Sequence, residues 1–344
     1  MKILFAGLGS IGQRHVRNIR SLFGHSLEIL AYRVHRTSPL LTETFDVDAS
    51  SSVESEYGIR SFDNLERALS EGPVAVFVCN PTSGHVPVAL AAARAGCHLF
   101  IEKPLSDRAD NIDELTACAE RHGLVALVGY QMRFHPALQR VRALLARSAI
   151  GQLTSARVEI GEFLPAAHPY EDYRESYAGR ADLGGGVVLS QSHELDYVRW
   201  LFGMPRRLFA TGGRLSDLEI DVEDTAHSVL ECIVDHRPIA VHVSQDFVRR
   251  PPVQACEIVG SAGAIRVDLR APRLEVSNGD GRVVECQSFS GFSRNDLFLS
   301  ELRHFFACID GRETPAVSLR DAAESLRLAL AIKESMAIGK AVQL

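Results

Sequence analysis

The sequence predicts an α/β chain in which a doubly wound parallel sheet precedes an α+β part built on a mainly antiparallel sheet. Three observations carry this. The first 130 residues alternate short, continuously apolar runs with helical patterns, as strands buried on both faces require. A glycine fingerprint stands at the first strand-to-helix junction. Beyond residue 150 the apolar period falls to two, with turn residues between the runs. At about 150 residues per domain, 344 residues make two domains, and the change of period divides them as 1–130 and 131–344.

In chain order, the expected parallel strands are Ile3 to Ala6, Leu27 to Tyr32, Val74 to Cys79, His98 to Ile101 and Leu124 to Gly129. Between them, Ile11, Val16, Ile19 and Leu22 line one helix. A second runs from Pro87 to Ala95 and stops at Gly96, and a third carries Ile112, Leu115 and Ala119 and stops at Gly123. Repeated strand, helix, strand units pair their strands in parallel. The serine-rich, acidic stretch Thr37 to Tyr57 reads as loop with one helical turn. A helix carrying Leu138, Val141 and Leu145 leads into the alternating runs at Val158 and Ile160, Ile239 to Val243, and Ile265 to Leu269. Amphipathic helices near Asp296 to Ile309 and Leu319 to Ile338 close the chain, covering one sheet face or returning to the first domain.

Composition excludes several functions. Apolar residues make up 46% and charged residues 23%, an ordinary globular mixture. With 37 basic against 43 acidic side chains and no basic patch, no nucleic-acid partner is expected. Cys79, Cys97, Cys118, Cys232, Cys256, Cys286 and Cys308 are scattered without a C-x-x-C pair, so neither a disulfide framework nor a metal site is expected, and a reducing, cytoplasmic setting fits. No run approaches 18 apolar residues, so no membrane span is expected.

Gly7-Leu8-Gly9-Ser10-Ile11-Gly12 is G-x-G-x-x-G between an apolar strand and an amphipathic helix. Gly7 permits the tight turn, Gly9 lets a pyrophosphate approach the backbone, Gly12 permits close helix–strand packing, and the helix start at Ser10 and Ile11 offers free amides. An NAD-selective site carries an acid at the end of the second strand. Here Arg33 and Arg36 stand there without one, which favours NADP through pairing with a 2′-phosphate, with NAD possible; as solvated loop residues they have no such role. Lys103, in Glu102-Lys103-Pro104, ends a strand and so faces the crevice, able to polarise a substrate oxygen unless merely solvated. His193 follows a glycine triplet and lies in the first turn of a helix, a candidate general base or a structural histidine. Asp196, one turn later, orients it, caps or packs. Finally, His168 to Tyr177 holds three of the seven tyrosines together with Arg174. Its apolar positions fit neither period, which suggests a lid whose Tyr173 and Arg174 meet an anionic sugar, or else a solvated loop or subunit contact.

The fingerprint, Asn80-Pro81-Thr82, Glu102-Lys103-Pro104, Gly129-Tyr130-Gln131-Met132-Arg133-Phe134 and the segment from the glycine triplet to His193 occur in that order. On these motifs, over nearly its whole length, the chain resembles the Gfo/Idh/MocA oxidoreductases. The resemblance implies a Rossmann domain followed by an α+β substrate domain with a large open sheet, often the oligomer interface, hence a homodimer or homotetramer. It implies Lys103 and His193 as catalytic residues and a cis peptide before Pro104. Asn80, Pro81, Thr82, His85, Glu102 and Lys103 are implied on the cofactor side, and Lys103, Gln131, Arg133, Ser190 and His193 on the substrate side. The implied reaction is hydride transfer between a nicotinamide and a secondary alcohol or carbonyl of a small carbohydrate. One departure stands out: Ser190 occupies the position where many relatives carry an acid before the histidine. That leaves open a relative that binds the nucleotide without turnover, as the unread pocket leaves open a non-sugar carbonyl or imine. The spelling Ser192-His193-Glu194-Leu195-Asp196-Tyr197 resembles a branch from surface-sugar gene clusters, which favours a nucleotide-linked sugar or sugar acid.

Overall fold

The computed structural model describes residues 1–34, 39–44 and 46–344. Its first sheet contains β1 (Lys2–Ala6), β2 (Glu28–Tyr32), β5 (Ile59–Phe62), β6 (Ala75–Val78), β7 (His98–Glu102) and β8 (Ala126–Gly129), while β3 (Leu40–Leu41) and β4 (Val47–Asp48) form a separate hairpin. The strand order is β5-β2-β1-β6-β7-β8, all parallel. The crossover helices include α1 (Ser10–Phe23), α2 (Val53–Tyr57), α3 (Leu65–Leu69), α4 (His85–Arg94) and α5 (Ile112–Arg121).

Successive strand residues feed two different cores, which is why the runs are continuously apolar. Ile3, Phe5, Phe77 and Phe100 face one way; Leu4, Val76, Val78 and Ile101 face the other. Phe77 stacks between Phe5 and Phe100 at centroid distances of 4.8 and 4.9 Å, and Phe305 meets Phe77 and Phe100 edge-on. Phe305 comes from α10 (Arg294–Ile309), so this late helix returns to cover the first sheet.

After α6 (Pro136–Ala146), the second sheet comprises β9 (Leu153–Phe163), β10 (Arg207–Gly213), β11 (Thr225–Val234), β12 (Arg237–Asp246), β13 (Val248–Gly260), β14 (Gly263–Asp268), β15 (Arg273–Asn278), β16 (Val283–Ser288) and β17 (Val342–Gln343). Its order is β16-β15-β14-β13-β9-β12-β11-β10-β17. All pairs are antiparallel except β12 with β9. Short helices α7 (Leu164–Ala167) and α8 (Val187–Ser190) lead to α9 (Ser192–Phe202), and α11 (Leu319–Ile338) packs against α9 and β10.

Where a loop with one helical turn was expected, residues 39–57 hold the β3–β4 hairpin and α2. The cause is not local. Fully buried Gln13 of α1 donates to the carbonyls of Leu8 and Pro39 and accepts from the amide of Leu41 at 2.9 Å, gluing the hairpin to the fingerprint helix.

The resemblance placed Arg133 on the substrate side, which the structure corrects; of the roles open to Asp196, orienting His193, capping or packing, the structure shows packing. Arg133 lies in a buried 3-10 turn, Gln131–Phe134, and forks onto Asp196 at 2.8 and 2.6 Å. Ser325 also donates to Asp196, and Asp321 pairs with both Arg133 and Arg199. This network locks the end of β8 to α9 and α11. With Asp196 1% exposed, its removal leaves a buried guanidinium short of its main partner. Asp196→Ala is expected to cost about 3–5 kcal/mol of unfolding free energy, measured by chemical denaturation; a loss below about 1 kcal/mol, the scale of an exposed pair, contradicts the network.

Candidate functional site

The site lies where the parallel strands end, as open α/β sheets require. Gly7 has φ +97°, and a Cβ there would sit 2.8 Å from the Cys79 oxygen and the Asn80 nitrogen. Gly9, the N-cap of α1, has no atoms within 4 Å of where its Cβ would be, and α1 has no side-chain cap. The first-turn amides at Ser10 and Ile11 are therefore open to an anion. A dinucleotide pyrophosphate fits this cradle.

The next two strand ends are bolted together by His85. Its ring is 2% exposed, with Nδ1 2.8 Å from the Pro104 oxygen and Nε2 2.8 Å from the Asn80 oxygen. His85 thus sits between the Asn80-Pro81-Thr82 turn and the Lys103 loop, donating to one of the two carbonyls when neutral, with both nitrogens turned to the backbone rather than to a cofactor, a correction to its expected role. Burial pulls its pKa down, against the pull of the two carbonyls and Glu102. Glu102 is likewise internal: Oε1 meets His15 at 2.7 Å and Oε2 accepts the Lys103 amide, so it supports the lysine rather than facing a cofactor. The Lys103–Pro104 peptide is cis, as the resemblance implied.

Lys103 Nζ donates to the Ser190 carbonyl at 2.6 Å. That carbonyl is available because α8 ends at Ser190 and a separate helix begins at Ser192, leaving the last carbonyls of α8 without helical partners. The chain reaches this break through the glycine triplet. A Cβ on Gly184 would sit 2.8 Å from the Asp107 side chain and 3.0 Å from that of Thr82, and one on Gly186 would meet the Glu223 carboxylate. The same break sets His193 beside the lysine. Burial first, then the charges of Lys103 and Arg294, hold the His193 imidazole well below the ordinary histidine range, and its Nδ1 is buried without a protein partner. Neutral His193 next to cationic Lys103 can accept a proton while the lysine holds an oxyanion.

Lys103, Ser190 and His193 are thus brought together, while Gln131 is buried in the turn after β8, next to Tyr130, whose ring lies 5.7 Å from that of His193. Other expectations are corrected. Arg33 is 5% exposed and paired with Glu54 of α2, so it is not free to grip a 2′-phosphate; Arg36 lies outside the described residues. Arg174 is exposed and engaged by Asp172 and Glu219, and the Tyr173 hydroxyl faces the Glu219 amide at 3.4 Å. The segment instead reaches the fingerprint through Tyr170, whose hydroxyl is hydrogen-bonded to Ser10; burial raises that phenol to about 12.

Sequence reasoning missed Glu54, Tyr170, Glu194 and Arg294. Glu194 is fully buried, accepts from Gln254 at 2.7 Å, and is pushed by burial to about 7. Its adjacency to His193 was the available signal. Arg294 carried none.

Residues 1–130 match the oxidoreductase family with an NAD-binding Rossmann fold, and residues 138–266 match the GFO/IDH/MocA C-terminal domain. The myo-inositol 2-dehydrogenase of Thermotoga maritima is 27% identical, the match covering 100% of this chain and 98% of that protein. The inositol 2-dehydrogenase of Rhizobium meliloti is 26% identical, over 84% and 86% respectively. Among solved structures, the WlbA dehydrogenase from Bordetella pertussis, in complex with NADH and UDP-GlcNAcA, superposes with a TM-score of 0.80 at 22% identity, covering 100% of this chain and 98% of its own.

Proposed function

This chain belongs to the Gfo/Idh/MocA oxidoreductases, and we propose that it transfers hydride between a nicotinamide dinucleotide and a secondary alcohol or carbonyl of a sugar, sugar acid or nucleotide sugar. The observation that carries this reading is the Lys103 to Ser190 bond, which holds the ammonium at the break just before the helix bearing His193, an imidazole kept neutral by burial. The names of relatives and neighbours, inositol and UDP-sugar enzymes among them, support the carbohydrate class.

The backbone at Gly9 and the amides at Ser10 and Ile11 would hold the pyrophosphate, with Asn80, Pro81 and Thr82 lining the adjoining strand end. The nicotinamide, when bound, supplies the hydride acceptor or donor. In the oxidative direction, His193 takes the hydroxyl proton, and Lys103 stabilises the charge growing on that oxygen. Ser190 lends its carbonyl to the lysine, so the missing acid is replaced in positioning though not in charge. Gln131, and a lid entering through Tyr170, would complete the substrate wall.

NADP is the proposed preference. Among the described residues no bare carboxylate stands at the end of β2, because Glu54 is neutralised by Arg33. The open second sheet supports homodimer or homotetramer formation. Phe209 and Val229, 45% and 49% exposed, pair across β10 and β11 on its uncovered face, next to stacked His227 and His242. Seven unpaired cysteines fit a cytoplasmic setting.

Lys103→Met and His193→Ala should each lower kcat by about a hundredfold or more with cofactor affinity nearly intact; ordinary turnover in either variant refutes the assignment. Because the His193 pKa is depressed, its proton-accepting form is already present at neutral pH and is lost only as pH falls through that lowered value. The acid limb of kcat/KM for oxidation should therefore lie below about 6.5, and a limb at or above it contradicts the role. In equilibrium titrations NADP should bind more tightly than NAD, and Arg33→Ala, which bares Glu54, should move the preference toward NAD. Equal or tighter wild-type binding of NAD removes the argument. A Phe209→Glu, Val229→Glu double variant should sediment as a smaller species than the wild type; unchanged sedimentation rules out that face.

A further inference from the structure

We propose that residues 168–184, which follow β9 and α7, form a strap across the dinucleotide cradle, and that Tyr170 is a cofactor-binding residue whose phenol hydroxyl donates to the pyrophosphate. The proposal rests on the dehydrogenase reading above and adds to its cofactor site a residue from outside the first sheet.

The cradle has two walls. One is the start of α1 at Gly9, Ser10 and Ile11; the other is the Asn80-Pro81-Thr82 turn, so near that a Cβ on Gly7 would sit 2.8 Å from the Asn80 nitrogen. The strap touches both. Near its beginning, the half-buried Tyr170 is hydrogen-bonded through its hydroxyl to Ser10, the first residue of α1. At its end, the 3-10 turn Ala181–Leu183 packs against the turn Thr82–Gly84. Buried Gly184 comes so close there that a Cβ would lie 3.0 Å from the Thr82 side chain and 3.1 Å from the Ser83 nitrogen. A segment fixed on both walls spans the opening between them, and it runs on through the glycine triplet to Ser190 and His193.

Between these anchors the strap is held mainly by surface charge. His168 Nδ1 lies 3.1 Å from a Glu171 oxygen, Arg174 engages Asp172 and Glu219, and Arg180 engages Glu175 and Asp182, all of them substantially exposed. Exposed pairs contribute little, so the strap opens locally at low cost and its closure depends on the contacts at its two ends. Of these, Tyr170 is the one beside the open amides. Nothing lies within 4 Å of the Cβ position of Gly9, and α1 has no side-chain cap, so an anion at Ser10 and Ile11 arrives next to the group that Tyr170 already touches. The phenol hydroxyl is shared between Ser10 and Glu171, and burial keeps it protonated up to about 12, so at neutral pH it brings a donor and no charge. A hydroxyl rotates to suit its acceptor. When it turns from Glu171 to a phosphate oxygen, His168 is in place to keep the Glu171 carboxylate.

The test is calorimetric titration of the wild type and Tyr170→Phe with NADP, NAD and ADP-ribose, which keeps the pyrophosphate but has no nicotinamide, together with trypsin digestion at Arg174 and Arg180. Tyr170→Phe should weaken every one of these ligands that the wild type binds by about tenfold, the scale of one net hydrogen bond, with an unchanged thermal midpoint. Tyr173→Phe, whose hydroxyl faces the Glu219 amide instead, should bind as the wild type does. A saturating dinucleotide should slow cleavage of the strap in the wild type and do so less in Tyr170→Phe. The proposal is overturned if Tyr170→Phe binds within twofold of the wild type, if it loses affinity for a dinucleotide but not for ADP-ribose, if its thermal midpoint falls along with its affinity, or if no ligand slows cleavage. Where the wild type binds a dinucleotide and Tyr170→Phe does so equally, only the strap assignment falls. If the wild type binds none of the three, the dehydrogenase reading falls and the strap with it.

Discussion

A lysine ammonium bound to one backbone carbonyl, 2.6 Å from Lys103 Nζ to the Ser190 oxygen, is the contact on which the site depends. Each partner comes from a different sheet system, and each is presented by a local irregularity. Lys103 sits in a turn whose next carbonyl is clamped by His85 and whose own amide is bound by Glu102. The Ser190 carbonyl is free because the helical path breaks between α8 and α9. An uninterrupted helix from Val187 would have used that carbonyl internally, leaving the lysine without an anchor. The glycine triplet follows from the same requirement, since side chains at Gly184 and Gly186 would hold the chain away from Thr82, Asp107 and Glu223.

Much of the fold was legible because buried parallel strands and amphipathic helices impose different periods on the sequence. Both faces of β1, β6 and β7 are covered, so their runs are continuously apolar, and the two closing helices matched their amphipathic patterns. The hairpin over residues 40–48 was not legible. Its strands have two residues each and are held by Gln13, a polar side chain in another element. Nor was the parallel pairing of β12 with β9, since alternation reports a half-buried strand and says nothing of its neighbour's direction.

The site divides along a similar line. Residues defined by backbone demands, such as Gly7 and the Lys103 loop, could be found from spacing, because a tight turn or a strand end constrains the residue types that fit. Residues defined by their partners could not. Arg33 and Arg174 looked like anion ligands and Arg133 like a substrate residue, and each proved to be balanced by carboxylates: Glu54, Asp172 with Glu219, and Asp196 with Asp321. Some of those acids are near in sequence and some lie far along the chain, so no window reveals which cation remains unmatched.

Charge balance also explains how a base and a cation coexist at the chemical centre. His193 stays neutral because burial and two nearby positive charges oppose its protonation, whereas Arg133, itself buried, keeps its charge because Asp196 and Asp321 supply the compensation. The two environments lie on the same helix, with Asp196 one turn from His193, yet they have opposite consequences. Had Asp196 pointed at His193, it would have favoured the imidazolium and weakened the proton acceptor. By turning to Arg133 it withdraws a negative charge from the crevice, and the imidazole is left facing cations alone. The ion pair that stabilises the fold thus keeps a carboxylate away from an imidazole that burial, with Lys103 and Arg294, already holds neutral.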